Sequence, residues 1–168
     1  MDSARLFLAL WPGAALRREL LARRNAWAWN RAASLVAPDD LHITLHFIGS
    51  VPRARLPELI GGLAVPFRPF ELRLDRAELW AHGIATLLAS RVPERLLQLH
   101  AALGVALTKL ALPTDARALR PHVTLARRAA ASVPPAVTEP LRWRARAYAL
   151  VESHPAAMPR YSVLQRYA

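Results

Sequence analysis

The chain has 168 residues, about one domain's worth, and its 54% hydrophobic and 21% charged content is a globular rather than a disordered balance. It has no cysteine, which excludes disulfides, thiolate metal sites and a cysteine nucleophile. Lys and Arg number 23 against 12 Asp and Glu, all but Lys109 being arginine; the net charge of +11 favours an anionic partner, nucleic acid first, and the planar arginine fork suits phosphate.

Asp2 near the start and the short apolar run Leu6–Trp11, ended by Pro12, do not read as a secretory leader. No run approaches the ~18 apolar residues of a membrane span. A soluble, cytoplasmic, monomeric protein is expected.

Arg5–Trp11 reads as a buried strand stopped by Pro12-Gly13. Ala14–Trp29 is predicted helical, with Leu16, Leu20, Leu21 and Trp27 set against Arg17, Arg18, Arg23 and Arg24. Ala37–Asp40 is a turn, and Leu41–Ile48 alternates as a strand ended by Gly49-Ser50. A short helix is predicted over Pro52–Leu63. Strands follow over Phe70–Trp80 and Ile84–Ser90, with His82-Gly83 turning between them. Pro93–Leu110 reads as a long helix with Pro at its start, where a missing N–H costs nothing. Beyond a polar loop come strands over Pro121–Arg127, Leu141–Glu152 and Tyr161–Tyr167. Paired strands with helices between them indicate an α+β fold with largely antiparallel sheets. No linker divides the chain, so residues 1–168 read as one domain.

Two tetrapeptides repeat: His42-Ile43-Thr44-Leu45 and His122-Val123-Thr124-Leu125. Independent placement of six His and six Thr would give about 0.2 His-x-Thr triplets. Both fall in period-2 segments, where residues i and i+2 share a face. Each strand therefore sets an imidazole beside a hydroxyl and turns its aliphatic residues to the core. If the strands face each other across a pseudo-twofold, two His and two Thr line one cleft. That set suits phosphoryl transfer without a metal: one neutral His takes a proton, one protonated His gives one, and Thr and Arg donors hold the phosphoryl oxygens. Arg127 stands three residues past Thr124, on the wrong face of an ideal strand, so a bulge or strand end must turn it inward.

At these residues the chain resembles the 2H phosphoesterases, and within them the bacterial RNA 2′,3′-cyclic phosphodiesterases, or LigT/ThpR-like 2′-5′ RNA ligases. The resemblance rests on Arg5–Leu10, Leu41–Gly49 and Arg120–Arg127, with weaker support from Leu99–Leu103, Leu150–Ser153 and Tyr161–Leu164. It runs essentially end to end. It implies a bilobal fold in which two pseudo-symmetric antiparallel sheets, flanked by helices and carrying one motif each (42–45 and 122–125), line a V-shaped cleft. It implies metal-independent, cofactor-free opening of a terminal 2′,3′-cyclic phosphate to a 2′-phosphomonoester, with 2′-5′ ligation as the reverse reaction. Carried over, His42 is the general acid, His122 the general base, and Thr44, Thr124 and Arg127 bind the phosphate. Leu79–Gly83 and Pro155–Pro159 depart from the family's turns, which leaves base stacking and substrate preference open.

Candidate RNA contacts beyond these are His46, on the strand face of His42 and Thr44, and the aromatic residues Phe7 and Trp80; each also has a plain reading as rim or core. A strand argues against a His42/His46 metal pair, since i and i+4 stand ~13 Å apart on it. Arg23, Arg24, Arg53, Arg55, Arg117, Arg120 and Arg128 are candidates for a phosphate-tracking surface. Two rival functions stay open: a phosphodiesterase of small cyclic nucleotides, and a basic RNA-binding module without turnover.

Overall fold

The structure is a computed structural model and describes residues 2–168. Strand β1 (Ser3–Leu10) is apolar at almost every position because it runs in the interior of a sheet, between two other strands. After Pro12-Gly13 the chain enters helix α1 (Ala14–Asn25). The predicted continuation to Trp29 fails for a local reason. The Trp29 indole N–H donates to the Arg24 carbonyl at 3.0 Å and closes the helix end, and Trp27 and Trp29 stack at 5.0 Å. Ala28 then bridges to Val133. A two-residue strand, β2 (Ser34–Leu35), and a 3-10 turn over Pro38–Asp40 lead into β3 (Ile43–Pro52). Strand β3 passes the expected stop because Gly49, at φ +88°, stays paired with Leu6.

Helix α2 (Leu56–Gly62) is followed by β4 (Phe70–Leu74), β5 (Arg76–Trp80) and β6 (Ile84–Leu88). Then come helix α3 (Glu94–Lys109), β7 (His122–Arg127), β8 (Leu141–Ala145), β9 (Tyr148–Ser153) and β10 (Tyr161–Tyr167). The single strands expected over 70–80 and 141–152 are thus each two. The first breaks at Asp75, whose carboxylate accepts the Ser90 N–H at 2.9 Å and the Ser90 hydroxyl at 2.6 Å. The apolar positions change parity there, from Phe70, Leu72 and Leu74 to Ala77 and Leu79.

The fold is α+β with two antiparallel sheets. The large sheet runs β10-β9-β1-β3-β7-β6-β5, with β2 also on β7, and β4 pairs with β8 as a separate ribbon. The strands β3 and β7 meet through one pair, Ile43 opposite Val123. Each half of the sheet, β10-β9-β1-β3 and β7-β6-β5, therefore carries one His-x-Thr strand at the seam. Alternation in β1 divides the interior: Leu6, Leu8 and Leu10 join the main core with Leu20 of α1 and Leu96, Leu99, Leu103 and Leu107 of α3. Phe7 and Ala9 join Ala149 and Val151 in a small cluster on the other face, packed by Trp11 and Tyr161.

Candidate active site

The seam places the motifs. An antiparallel pair has a local twofold through its centre, and about Ile43–Val123 that twofold exchanges His42 with His122 and Thr44 with Thr124. Ile43 and Val123 are fully buried, so their neighbours on the opposite side of each strand share the other face. All four motif side chains are partly exposed there.

Two β-bulges, at equivalent places, finish the arrangement. In β3, Ala9 pairs with Thr44 and Leu8 with His46, leaving Leu45 as the extra residue. In β7, Thr86 pairs with Thr124 and Ala85 with Ala126, leaving Leu125. Each extra residue reverses the facing of the residues after it. In β7 it turns Arg127 to the histidine side, and the charge of Arg127 is felt by both His42 and His122. In β3 it does the same for Phe47, which pairs with Phe7 and is 74% exposed.

The same bulge removes His46 from the cleft. His46 faces α3, is 5% exposed, donates from Nε2 to the His100 carbonyl at 2.9 Å and stacks on the His100 ring at 4.0 Å. The expectation that it shares a face with His42 and Thr44 is corrected: strict alternation does not survive Leu45.

His42 and His122 are held alike. Each Nδ1 lies 2.7 Å from the carbonyl two residues earlier, of Asp40 and of Arg120. A carbonyl only accepts, so Nδ1 carries the hydrogen and Nε2 is the nitrogen left without one. Nε2 of His42 is 3.0 Å from the Thr44 hydroxyl; among the described residues, Nε2 of His122 has no protein partner.

Their surroundings differ. The His42 ring is enclosed by Phe7 at 5.0 Å, Trp11 at 5.3 Å and Tyr161 at 5.3 Å. Burial in this aromatic surround pushes its pKa down to about 4; the Asp40 carbonyl opposes that, and the His122 and Arg127 charges add to it. The His122 pKa is also lowered, mainly by burial, against the Arg120 carbonyl and with the Arg120 and Arg127 charges. Both imidazoles are therefore neutral at pH 7.

The two aromatic candidates are both packed by neighbouring side chains. Phe7 is 4% exposed beneath His42, so it packs the imidazole and offers no face to a base. Trp80 lies 4.4 Å from His122, with the Arg120 guanidinium over its ring at 4.6 Å. A base could stack on that face only by displacing Arg120. The exposed aromatic of the site is Phe47, which the sequence reading missed. Its signal was faint: the two successive inward residues that mark the bulge are Leu125-Ala126 in β7 but Leu45-His46 in β3, where the histidine hides the break in alternation. Trp11, just past the end of β1, was missed as well. Among the described residues no three His, Asp or Glu side chains converge as a metal-ligand set.

Comparison with known proteins gives the family. A family model described as the 2′-5′ RNA ligase superfamily matches residues 15–155, a span that includes both motifs. The chain belongs to the 2′-5′ RNA ligase superfamily. It is 32% identical to an RNA 2′,3′-cyclic phosphodiesterase of Escherichia coli K12, over 99% of this chain and 97% of that protein. It is 30% identical to a Thermus thermophilus protein of the same name, over 98% and 89% of the two chains. Among solved structures, E. coli LigT complexed with 3′-AMP matches with a TM-score of 0.82 and 28% identity, over 99% of this chain and 98% of that one. No helix among the described residues is long and apolar enough to cross a membrane.

Proposed function

We propose that the chain, as one two-lobed domain, is an RNA 2′,3′-cyclic phosphodiesterase that opens a terminal cyclic phosphate to a 2′-phosphomonoester by paired-histidine acid/base catalysis. The observation that carries this reading is the local twofold at Ile43–Val123, which sets both histidines on one face of the sheet, each held through Nδ1. The names of its relatives supply the substrate class.

In this reading water attacks phosphorus as Nε2 of His122, which has no protein partner, takes its proton. The bond from phosphorus to O3′ breaks, and Nε2–H of His42 protonates the departing oxygen. A new P–O bond to water and a lost P–O3′ bond leave the 2′-phosphate, and the proton taken by His122 is released to solvent before the next turnover. The Thr44 and Thr124 hydroxyls and Arg127 hold the non-bridging oxygens while charge builds on them. With its pKa lowered to about 4, His42 is neutral at pH 7 and gains its proton as the substrate arrives. The negative phosphate supplies the favourable partner that the aromatic surround lacks. Proton uptake thus accompanies binding. Running in reverse, the same groups would form a 2′-5′ linkage, with bulk water favouring hydrolysis.

The test is hydrolysis of an oligoribonucleotide ending in a 2′,3′-cyclic phosphate, with EDTA present, by wild type, His42→Ala and His122→Ala. A 2′-phosphate product lost by roughly 10²–10⁴-fold in both variants is expected. Salt-sensitive binding without turnover by the wild-type protein would overturn the reading in favour of a binding module.

A further inference from the structure

We propose that Glu78 is a positioning residue for His122, its carboxylate holding Trp80 and Arg120 as one stacked layer against the imidazole; this rests on the reading of His122 as the general base. Glu78 pairs with Thr86, and Thr86 pairs with Thr124, so Glu78 lies in the same cross-strand row as a motif threonine. Its Oε1 accepts the Trp80 indole N–H at 3.1 Å and lies 3.6 Å from Nη2 of Arg120. Its Oε2 is 3.1 Å from Nη2 of Arg76. Beyond Glu78 the layer closes on itself. The Arg120 guanidinium sits over Trp80, Trp80 packs on His122, and the Arg120 carbonyl receives the His122 Nδ1–H.

A carboxylate beside a phosphate site repels its substrate, so its presence there calls for a compensating task. Here that task is to anchor the two groups that fix the imidazole. The Arg120 guanidinium opposes protonation of His122. Glu78 faces that guanidinium at ion-pair distance, which offsets part of its charge and keeps it stacked on Trp80. Removing the carboxylate leaves the charge of Arg120 uncompensated beside the base and leaves the indole N–H without its acceptor.

The test uses the full chain in four forms: wild type, Glu78→Gln, Glu78→Ala, and Glu78→Ala with Arg120→Ala. Imidazole NMR signals are titrated with pH, and kcat and KM are measured on the cyclic-phosphate oligonucleotide across pH. Both single variants should shift the His122 titration and the acidic limb of kcat/KM to lower pH, and adding Arg120→Ala should reverse the shift. Glu78→Ala should lower kcat about tenfold with KM changed less than about threefold, as expected for a displaced catalytic group. Glu78→Gln, which still accepts the indole N–H, should retain more of kcat. An unchanged His122 titration in Glu78→Ala, with activity lost only in step with thermal stability, would overturn the proposal. Absent turnover by the wild-type protein would overturn the hydrolase reading instead, while the titration would still decide what Glu78 does to His122.

Discussion

His42 is surrounded by Phe7, Trp11 and Tyr161, and that surround couples its protonation to stability. Its folded pKa of about 4 lies below the 6.5 of a free histidine. Between those values the unfolded chain binds a proton that the folded chain refuses, so stability rises with pH across the window and is lost as pH falls from 6.5 through 4. The full loss from this residue is about 3 kcal/mol. His122, shifted the same way, adds to it. Urea unfolding at pH 7, 5.5 and 4.5 should show His42→Asn, which keeps a donor for the Asp40 carbonyl, losing less stability on acidification than wild type. Equal losses would mean that His42 is not the group being protonated. Phe47 makes the opposite case, a large aromatic left 74% exposed on the cleft face. Base–aromatic stacking is worth roughly 1–3 kcal/mol. Phe47→Ala should therefore raise KM for the oligonucleotide about tenfold while its melting temperature stays level; an unchanged KM would remove Phe47 from the substrate path.

At the scale of elements, the two bulges decide which side chains reach the cleft. His46 gives the discriminating case. A cleft histidine would lower substrate affinity when removed, whereas a histidine that donates to the His100 carbonyl and stacks on its ring ties β3 to α3. His46→Ala should cost about 2 kcal/mol of stability and leave KM for the oligonucleotide unchanged; the reverse outcome would return His46 to the substrate side. The strands with the clearest alternation, around 42–45 and 122–125, were legible because their aliphatic residues face a core that enforces the period. Their histidine–threonine pairing followed from the same period. The facing of residues beyond Leu45 was not legible, since a bulge is set by pairing with β1 and its only local trace, a second apolar residue in succession, is masked by a histidine. The need for a bulge before Arg127 could be stated because a required direction was in hand; for His46 no such requirement existed. The long runs 70–80 and 141–152 read as single strands because no Gly or Pro interrupts either of them, and the partner exchange at Asp75 depends on Ser90, fifteen residues on. Trp11 and Tyr161, at opposite ends of the chain, meet over His42 only through the order β10-β9-β1-β3.

Across the whole molecule, the net charge of +11 is less available than composition implies. Of the seven arginines picked out as a phosphate-tracking surface, Arg53 pairs with Glu152 and Asp2, Arg55 with Glu58, Arg117 with Asp115 and Arg120 with Glu78. Arg23 and Arg24 donate to main-chain carbonyls. One exposed face with an excess of arginine is that of the β4–β8 ribbon, outside the sheet that carries the histidines. There Arg73 stands directly opposite Arg142, and Arg144 opposite Glu71, all exposed, with one weak ion pair of 3.8 Å from Arg142 to Glu71. Like charges set opposite one another on a sheet oppose its formation, and a bound polyanion relieves that. Each phosphate neutralised on a single strand steepens the dependence of log K on log salt by about 0.7. Replacing Arg73, Arg142 and Arg144 together by Ala should then reduce that slope for an oligoribonucleotide by about 2, while turnover of a 2′,3′-cyclic mononucleotide, which reaches only the cleft, stays at the wild-type rate. Exposed positions of this kind carry little folding energy, so the triple variant should remain folded. Equal slopes for variant and wild type would show that the ribbon does not touch RNA, leaving recognition to the cleft around Arg127.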